Sequence, residues 1–344
     1  FGFWFDPVKG IGLGHRRLSI IDLSSAGCQP MHSASGRYVI AFNGEIYNHS
    51  QLRQELVASG VILKWKGYSD TETLLAGFDA WGIEETVKRA IGMFAFSVWD
   101  NSENTLILGR DRIGEKPLYY GWQGGTFLFG SELKALKQHP AFKTEINRDP
   151  ITLLLPHNYI PAPYSIYQGI SKLEPGCLLS VSSTTKEPKV WSYWSLSDTV
   201  VTGVQAPFTG TPDDAVDELE RLAKLAIKQQ MMGDVPLGGF LSGGIDSSAV
   251  VALMQAQSTR PVKTFTIGLH EEGYNEAVHA KAVAKHLGTD HTELYVTSEE
   301  AMSVIPDLPT LYSEPFSDSS QIPTFLVSKL AKQHVTVSLS GDAG

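Results

Sequence analysis

The peptide Ser242-Gly243-Gly244-Ile245-Asp246-Ser247-Ser248 comes directly off an apolar run at 236–241 and opens a helical pattern over 247–255. A strand that turns through adjacent glycines into a helix leaves little choice of local fold. The glycines let the backbone approach a bound group closely. The helix start aims unpaired N–H groups and a positive dipole end at that group, which suits an anion. Ser242, Ser247 and Ser248 add hydroxyls. No lysine follows the second glycine, so this is not the Walker loop. A lysine-free loop suits a pyrophosphate held by amides and hydroxyls, with Asp246 placed to hold magnesium on the phosphates.

The surroundings extend the pattern. Strand-like runs at 236–241, 262–269, 291–296 and 335–339 alternate with helical runs at 247–255, 275–287 and 322–332. Such alternation predicts right-handed crossovers and a parallel sheet with helices on both faces, its ligands at the C-terminal strand ends. Ahead of it, Thr211-Pro212-Asp213-Asp214 reads as a helix start, and Val216, Leu219, Leu222, Ala223, Ala226 and Ile227 form an apolar stripe.

Up to about Trp194 the character is different. Residues 37–42 alternate into a strand ending at Asn43-Gly44. Runs at 93–99 and 105–109 read as one hairpin, and 118–122 with 126–129 as a second. Leu52, Leu56 and Val57 precede Gly60 at helical spacing, as Leu74, Leu75, Phe78 and Trp81 precede Gly82. This predicts an α+β layered domain over 1–195, a linker across 200–210, and an α/β domain over 206–344.

The 344 residues exceed one ordinary core, and 42% hydrophobic with 19% charged residues is a globular composition. A net charge of -9, with no Lys/Arg cluster among aromatics, argues against nucleic acid. No apolar run has membrane-spanning length. Two cysteines, Cys28 and Cys177, make no disulfide framework and suit the cytoplasm. Asn48-His49-Ser50 matches a glycosylation sequon that the absence of a secretory signal discounts. Phe1 and Gly344 both fall beside apolar elements, which reads as a fragment.

Ser242 to Ser248, preceded by Asp234-Val235-Pro236-Leu237-Gly238-Gly239-Phe240-Leu241 and followed by Ala249-Val250-Val251, resembles the pyrophosphate loop of glutamine-hydrolysing asparagine synthetases of the B type. The resemblance runs from Gly14 to the last residue. It implies an Ntn-hydrolase-like, class II glutamine amidotransferase domain, then an ATP-pyrophosphatase domain of the adenine nucleotide alpha hydrolase-like kind. By the resemblance, ATP is held by Leu241, Ser242, Gly243, Gly244, Asp246, Ser247, Ser248, Ile267, Ser340 and Gly341, with Asp246 on the metal. Asp342 takes the acidic position linked to forming an acyl-adenylate, and Ala343 stands where the family usually has Gly or Ser.

In the first domain Arg17-Leu18-Ser19-Ile20-Ile21, Asn43-Gly44-Glu45 and Asp70 match the family's glutamine-binding segments. Arg17 suits the substrate's α-carboxylate and Asp70 its α-ammonium. Asn43 with the Gly44 amide suits an oxyanion hole. Taken singly, Asn43-Gly44 is a hairpin-turn signal, Asp70 a helix cap and Arg17 a surface strand residue. The family's nucleophile is a cysteine at the mature N-terminus. Residue 1 is Phe, neither Cys28 nor Cys177 stands in the expected place, and the resemblance implies a cysteine ahead of Phe1; this chain is then expected not to hydrolyse glutamine.

Gly109 to Gly114 has Walker-like spacing, but Glu115 follows where lysine must be, so a turn near the domain interface is expected. His279, His286 and His291 lack cysteine partners, against a zinc site. Glu314-Pro315-Phe316-Ser317-Asp318-Ser319 resembles the family stretch near the acceptor pocket. The implied reaction hydrolyses glutamine through a thioester and passes ammonia internally. ATP and magnesium convert an acceptor carboxylate, aspartate first, to an acyl-adenylate that ammonia opens to an amide, AMP and pyrophosphate. Rival readings are a sibling enzyme adenylating a sugar acid or a β-amino acid, and a nucleotide-binding module without catalysis. The resemblance also allows a homodimer.

Overall fold

Apolar side chains alternate along Tyr38, Val39, Ile40, Ala41 and Phe42, so a strand here presents one set to each of two cores. In the computed structural model, which describes residues 1–61, 64–182, 185–270 and 275–342, it does so. Strand β4 (Tyr38–Ile46) lies in an antiparallel sheet of order β11-β10-β6-β5-β4-β3. Its companions are β3 (Met31–His32), β5 (Gly92–Asp100), β6 (Thr105–Arg110), β10 (Cys177–Ser182) and β11 (Lys189–Ser192). Tyr38, Ile40 and Phe42 join Phe94 and Phe96 in one core, against Leu52 of α1 (His49–Ala58), Phe78 of α2 (Asp70–Trp81) and Val87 of α3 (Ile83–Arg89).

Val39 faces the other way, with Ala95, Trp99, Leu108 and Leu179. That core is closed by Leu13 of the hairpin β1 (Gly2–Asp6) and β2 (Ile11–His15), and by Tyr120, Trp122, Phe127 and Phe129. The last four belong to β7 (Tyr119–Gln123) and β8 (Thr126–Gly130), which form a three-stranded sheet with β9 (Ile170–Lys172). Both expected hairpins, β5–β6 and β7–β8, are present. Short helices α4 (Leu133–Leu136) and α5 (Ile151–His157) follow, and α6 (Leu196–Gln205) occupies much of the stretch expected to be linker. None of the residues of α6 is buried.

Two expectations in this half need correction. Asn43-Gly44 is not a turn: β4 runs on to Ile46, with Asn43 opposite Ala95, Gly44 opposite Phe94 and Glu45 opposite Met93. Glycine is required by crowding, because a β-carbon at Gly44 would lie 2.2 Å from the carbonyl oxygen of Met93. Arg17 is not on a strand either, since β2 ends at His15.

By their contacts, residues Phe1–Pro207 and Tyr312–Ser317 form one unit, and Phe208–Leu311 with Asp318–Gly344 the other. The second unit opens with α7 (Pro212–Gln230), started by a capping box in which Thr211 and Asp214 satisfy each other's backbone amides. The apolar stripe of α7 is not a core face along most of its length. Val216 and Leu219 are 63% and 68% exposed and only Ile227 is buried, because the described residues pack on the last turn alone.

Strands and helices then alternate as expected: β12 (Leu237–Phe240), α8 (Ile245–Ala256), β13 (Lys263–Leu269), α9 (Ala277–Leu287), β14 (Asp290–Val296), α10 (Ser298–Met302), α11 (Leu308–Leu311), α12 (Gln321–Ala331) and β15 (Val337–Leu339). The sheet is parallel, in the order β14-β13-β12-β15. Leu241, Val251, Ala280 and Ala284 join α8 to α9, while Leu330 and Ala331 of α12 pack with Phe265 in a separate cluster. The chain runs outward from β12 to β14, then returns to β15 on the other side of β12. Strand order therefore reverses between β12 and β15, where a crevice opens at the C-terminal ends.

Candidate active sites

In the first unit, Arg17, Asn43, Gly44, Glu45 and Asp70 meet on the wall of one cavity of about 140 Å³. Leu18, Ile20 and Ile21 line it too, and Ser19 does not. Three stretches far apart in sequence converge because β4 carries Asn43 and Glu45 on one face, α2 begins at Asp70, and the chain after β2 curls around Arg17. Arg17 Nη2 donates to the carbonyls of Ile21 at 2.9 Å and Asp22 at 2.6 Å, which fixes the guanidinium at the cavity. Ser69, not Asp70, is the helix cap, its hydroxyl accepting from the Glu72 amide.

The electrostatics are uneven. Asp70 is buried and accepts from the Ile46 and Thr71 amides, each at 2.9 Å. Burial pushes its carboxyl up, and those hydrogen bonds and Arg17 hold it back. The Glu45 carboxyl is pushed up to about 7 by burial and then by Asp70, with Lys116 opposing. Glu45 Oε1 is buried with no partner. Burial lowers the His15 imidazole below its usual range, so the ring is neutral at neutral pH. Asn43 Nδ2 donates to Ser131 Oγ at 3.2 Å. Asn43 also borders a second cavity of about 460 Å³, with largely apolar walls such as Phe96, Leu118 and Phe129.

Lys116 was not among the expected site residues, yet it lines the smaller cavity. The Walker-like stretch before it is a turn built on Asp111, whose carboxylate accepts from the amides of Phe94, Gly114, Glu115 and Lys116. The turn delivers Lys116 beside Glu45. Gln29 was also missed; it ties the walls together, accepting from the Phe42 amide at 2.7 Å and donating to Thr71 Oγ1 at 3.2 Å. Neither has a local sequence signal, since each acts through residues distant along the chain.

The cysteines stand apart. Cys28 is exposed and borders a different cavity, beside Pro30, Trp65 and Ala76. Cys177 is buried in β10, and burial pushes its thiol up, the reverse of activation.

In the second unit the loops after β12 and β15 flank the crevice at the switch point. A cavity of about 310 Å³ there is lined by Leu241, Ser242, Gly244, Asp246, Ser247 and Ile267, and by Ser340, Gly341 and Asp342. Gly243 and Ser248 are not on its wall. Gly243 has φ +83, and a β-carbon there would lie 2.7 Å from the Ala280 amide nitrogen and from His279 Cβ, so only glycine fits between the loop and α9. Ser247 Oγ accepts from the Ser242 amide at 3.2 Å and lies 2.9 Å from Ser242 Oγ, which latches the loop across its own turn. No side chain caps α8, so its first amides are left for a ligand. Leu241 is fixed at both backbone groups, its amide donating to Phe265 and its carbonyl accepting from Thr266 Oγ1.

Glu276 and the α12 residues Pro323, Thr324 and Val327 also line this cavity and were not expected. Ala343 lies outside the described residues. Glu314, expected near an acceptor pocket, belongs to the first unit, where its side chain is 7% exposed, pairs with Lys172 and accepts from the Ile166 amide at 2.7 Å. No group of three or more His, Cys, Asp or Glu able to hold a metal occurs among the described residues. No helix among them is long and apolar enough to cross a membrane.

Comparison with known proteins agrees with these two units. Residues 1–194 match the glutamine amidotransferase domain family and residues 218–344 the asparagine synthase family. The chain is therefore a glutamine amidotransferase half followed by an asparagine synthase half, the second built on a parallel sheet. The chain belongs to the glutamine-hydrolysing asparagine synthetase family. A Methanocaldococcus jannaschii protein provisionally named asparagine synthetase (glutamine-hydrolysing) 2 is 36% identical over 351 residues, 97% of this chain and 65% of that one. Asparagine synthetase (glutamine-hydrolysing) 1 of Bacillus subtilis is 34% identical over 342 residues, 99% of this chain and 51% of that one. Amidase chry2 of Gibberella zeae is 31% identical over 334 residues, 91% of this chain and 47% of that one. The chain thus spans between about half and two thirds of the length of these relatives.

Proposed function

We propose that the protein of which this chain forms the two catalytic units makes asparagine from aspartate, ATP and glutamine-derived ammonia. The reading is supported above all by the pairing, on one chain of this family, of a pyrophosphate-type loop at a sheet switch point with a small cavity bearing Arg17, Asn43, Glu45 and Asp70. Arg17 takes the α-carboxylate of glutamine, and Asp70 with Glu45 takes the α-ammonium. Asn43 and the Gly44 amide stabilise the oxyanion that forms when the side-chain amide is attacked. The larger cavity bordering Asn43 gives the released ammonia an apolar-walled exit.

In the nucleotide cavity the first amides of α8 and the hydroxyls of Ser242 and Ser247 hold the β- and γ-phosphates. Leu241 and Ile267 flank the adenosine. The aspartate side-chain carboxylate attacks the α-phosphorus, the α–β bridge breaks, and pyrophosphate leaves. Ammonia then adds to the acyl carbon and AMP departs, leaving the amide. Asp246 and Asp342 are oxygen donors of the kind magnesium takes, one or two carboxylates beside phosphate oxygens, so the wall fits that ion. Bound there, magnesium offsets charge on the phosphates. The two free thiols, Cys28 and Cys177, suit a cytoplasmic setting.

The similarity to an amidase named chry2 is a specific reason to test the acceptor. The test is pyrophosphate release from ATP with ammonium as nitrogen source, in a chain carried to the ends of its reading frame. Release that depends on aspartate, with asparagine formed, is the expected result. Release with a sugar acid or a β-amino acid but none with aspartate would replace the acceptor. ATP binding without AMP formation from any acid would leave a binding module.

A further inference from the structure

Glu45 and Asp70 share the wall of the first-unit cavity with three cations, Arg16, Arg17 and Lys116, of which Arg16 is exposed, and with the neutral ring of His15. Both acids are buried, 3% and 7% exposed. Their situations differ. Asp70 has both oxygens engaged by backbone amides at the head of α2. Glu45 Oε1 is out of reach of solvent and has no partner. Arg17 is turned onto the carbonyls of Ile21 and Asp22, while Lys116 makes no ion pair among the described residues. Beyond the end of β4, Tyr47 is kept protonated by burial, with Glu115 and Asp111 adding to that effect. Lys116 is the cation that acts against protonation of Glu45. Its backbone is fixed on both sides, the amide donating to Asp111 Oδ2 at 3.0 Å and the carbonyl accepting from Arg110 Nε at 2.8 Å.

We propose that Lys116 is a positioning residue of this pocket, the cation that lets Glu45 and Asp70 meet the α-ammonium of glutamine as a pair of carboxylates. The inference rests on the glutamine reading given above. Arg16 is exposed and Arg17 is committed to two carbonyls, so without Lys116 the two buried carboxylates are poorly balanced, and a buried site answers that by taking up a proton. Lys116 supplies a balancing charge within the pocket and raises the share of Glu45 that is ionised when glutamine arrives. Without Lys116, more of Glu45 holds its proton at neutral pH, the ammonium of glutamine must displace it, and binding becomes more strongly linked to proton release.

The experiment compares the chain with its Lys116→Gln and Lys116→Arg variants by two measurements. One is the titration of the Glu45 carboxyl followed by NMR without ligand. The other is calorimetry of L-glutamine binding in buffers of different ionisation enthalpy, at neutral and at alkaline pH. In Lys116→Gln the Glu45 titration moves up by about one pH unit, and glutamine affinity at neutral pH falls about fivefold. Affinity recovers at alkaline pH, nearly one proton is released per glutamine bound at neutral pH against about half in the parent, and Lys116→Arg behaves as the parent. With Glu45→Gln as background, Lys116→Gln no longer changes the pH profile, which separates the charge effect from any general damage to the fold. An unmoved Glu45 titration, or a loss of affinity equal at both pH values, overturns the proposal. If no chain binds glutamine while the titration moves as expected, the charge pairing stands and the glutamine reading is what fails.

Discussion

Asp111 Oδ2 accepts the backbone amide of Lys116 at 3.0 Å, while the same carboxylate also accepts the amides of Phe94, Gly114 and Glu115. One buried acid thus organises a whole turn and anchors it to β5. Asp111→Ala would leave four amides to find water or remain unpaired. The expected cost is about 2–4 kcal/mol of unfolding free energy in urea. A change under about 0.5 kcal/mol would mean that the turn holds itself.

Lys172 and Glu314 form an ion pair with side chains 14% and 7% exposed. The Lys172 ammonium also donates to the Ile160 carbonyl, and Glu314 accepts from the Ile166 amide and the Tyr119 hydroxyl. Removing one partner strands the other charge, so Lys172→Met or Glu314→Leu should each cost about 3–5 kcal/mol. The double variant should recover much of that loss. Strictly additive losses in a double-mutant cycle would rule out the coupling.

Glu45 makes stability depend on pH in the direction opposite to most acids. Its carboxyl rises from 4.5 to about 7 on folding, so the folded chain holds the proton more tightly than the unfolded one. Below the lower value the group costs nothing. As pH climbs through the interval, stability falls by up to about 1.4 kcal/mol per unit, and the full cost is present above the upper value. Glu45→Gln should match the parent in acid and exceed it by up to about 3 kcal/mol at mildly alkaline pH. A difference that is constant across pH in chemical unfolding would contradict this.

Asp246 lies in the first turn of α8, is exposed, and lines the cavity at the sheet switch point. Asp246→Asn should lower affinity for ATP in magnesium by about tenfold or more, while affinity in excess chelator stays level or rises. Its stability should change by under about 1 kcal/mol, the size of one helix-end charge effect. Equal losses with and without magnesium, read by calorimetry, would take the metal role from this residue.

Local signals account for what was legible beforehand. The turn at Ser242 to Ser248 and the capping box at Thr211 are written in adjacent residues, and both hairpins and the β/α alternation follow from periodicity. Periodicity reports a face without reporting what covers it, so the stripe of α7 is legible and its exposure is not. Arg17-Leu18-Ser19-Ile20-Ile21 reads as a strand until the guanidinium bonds to carbonyls at 21 and 22 curl the chain. Asn43-Gly44 carries the signature of a turn, yet here the glycine serves a close strand approach. Lys116 had no visible role, and the pairing of Glu314 with Lys172 was not legible, because their partners lie on other elements, fixed by topology alone.

Tyr312–Ser317 belongs by its contacts to the first unit, although the residues on either side of it belong to the second. Within that unit Ser313 Oγ accepts the Leu133 amide and the Asn158 carbonyl accepts the Ser317 amide, in addition to the Glu314 pair. The first unit is therefore encoded in two separate stretches of gene. A chimera that exchanges residues 1–207 between relatives inherits Lys172 from one parent and its counter-charge from the other. Recombination that respects the fold has to carry the hexapeptide along with the distant segment that receives it.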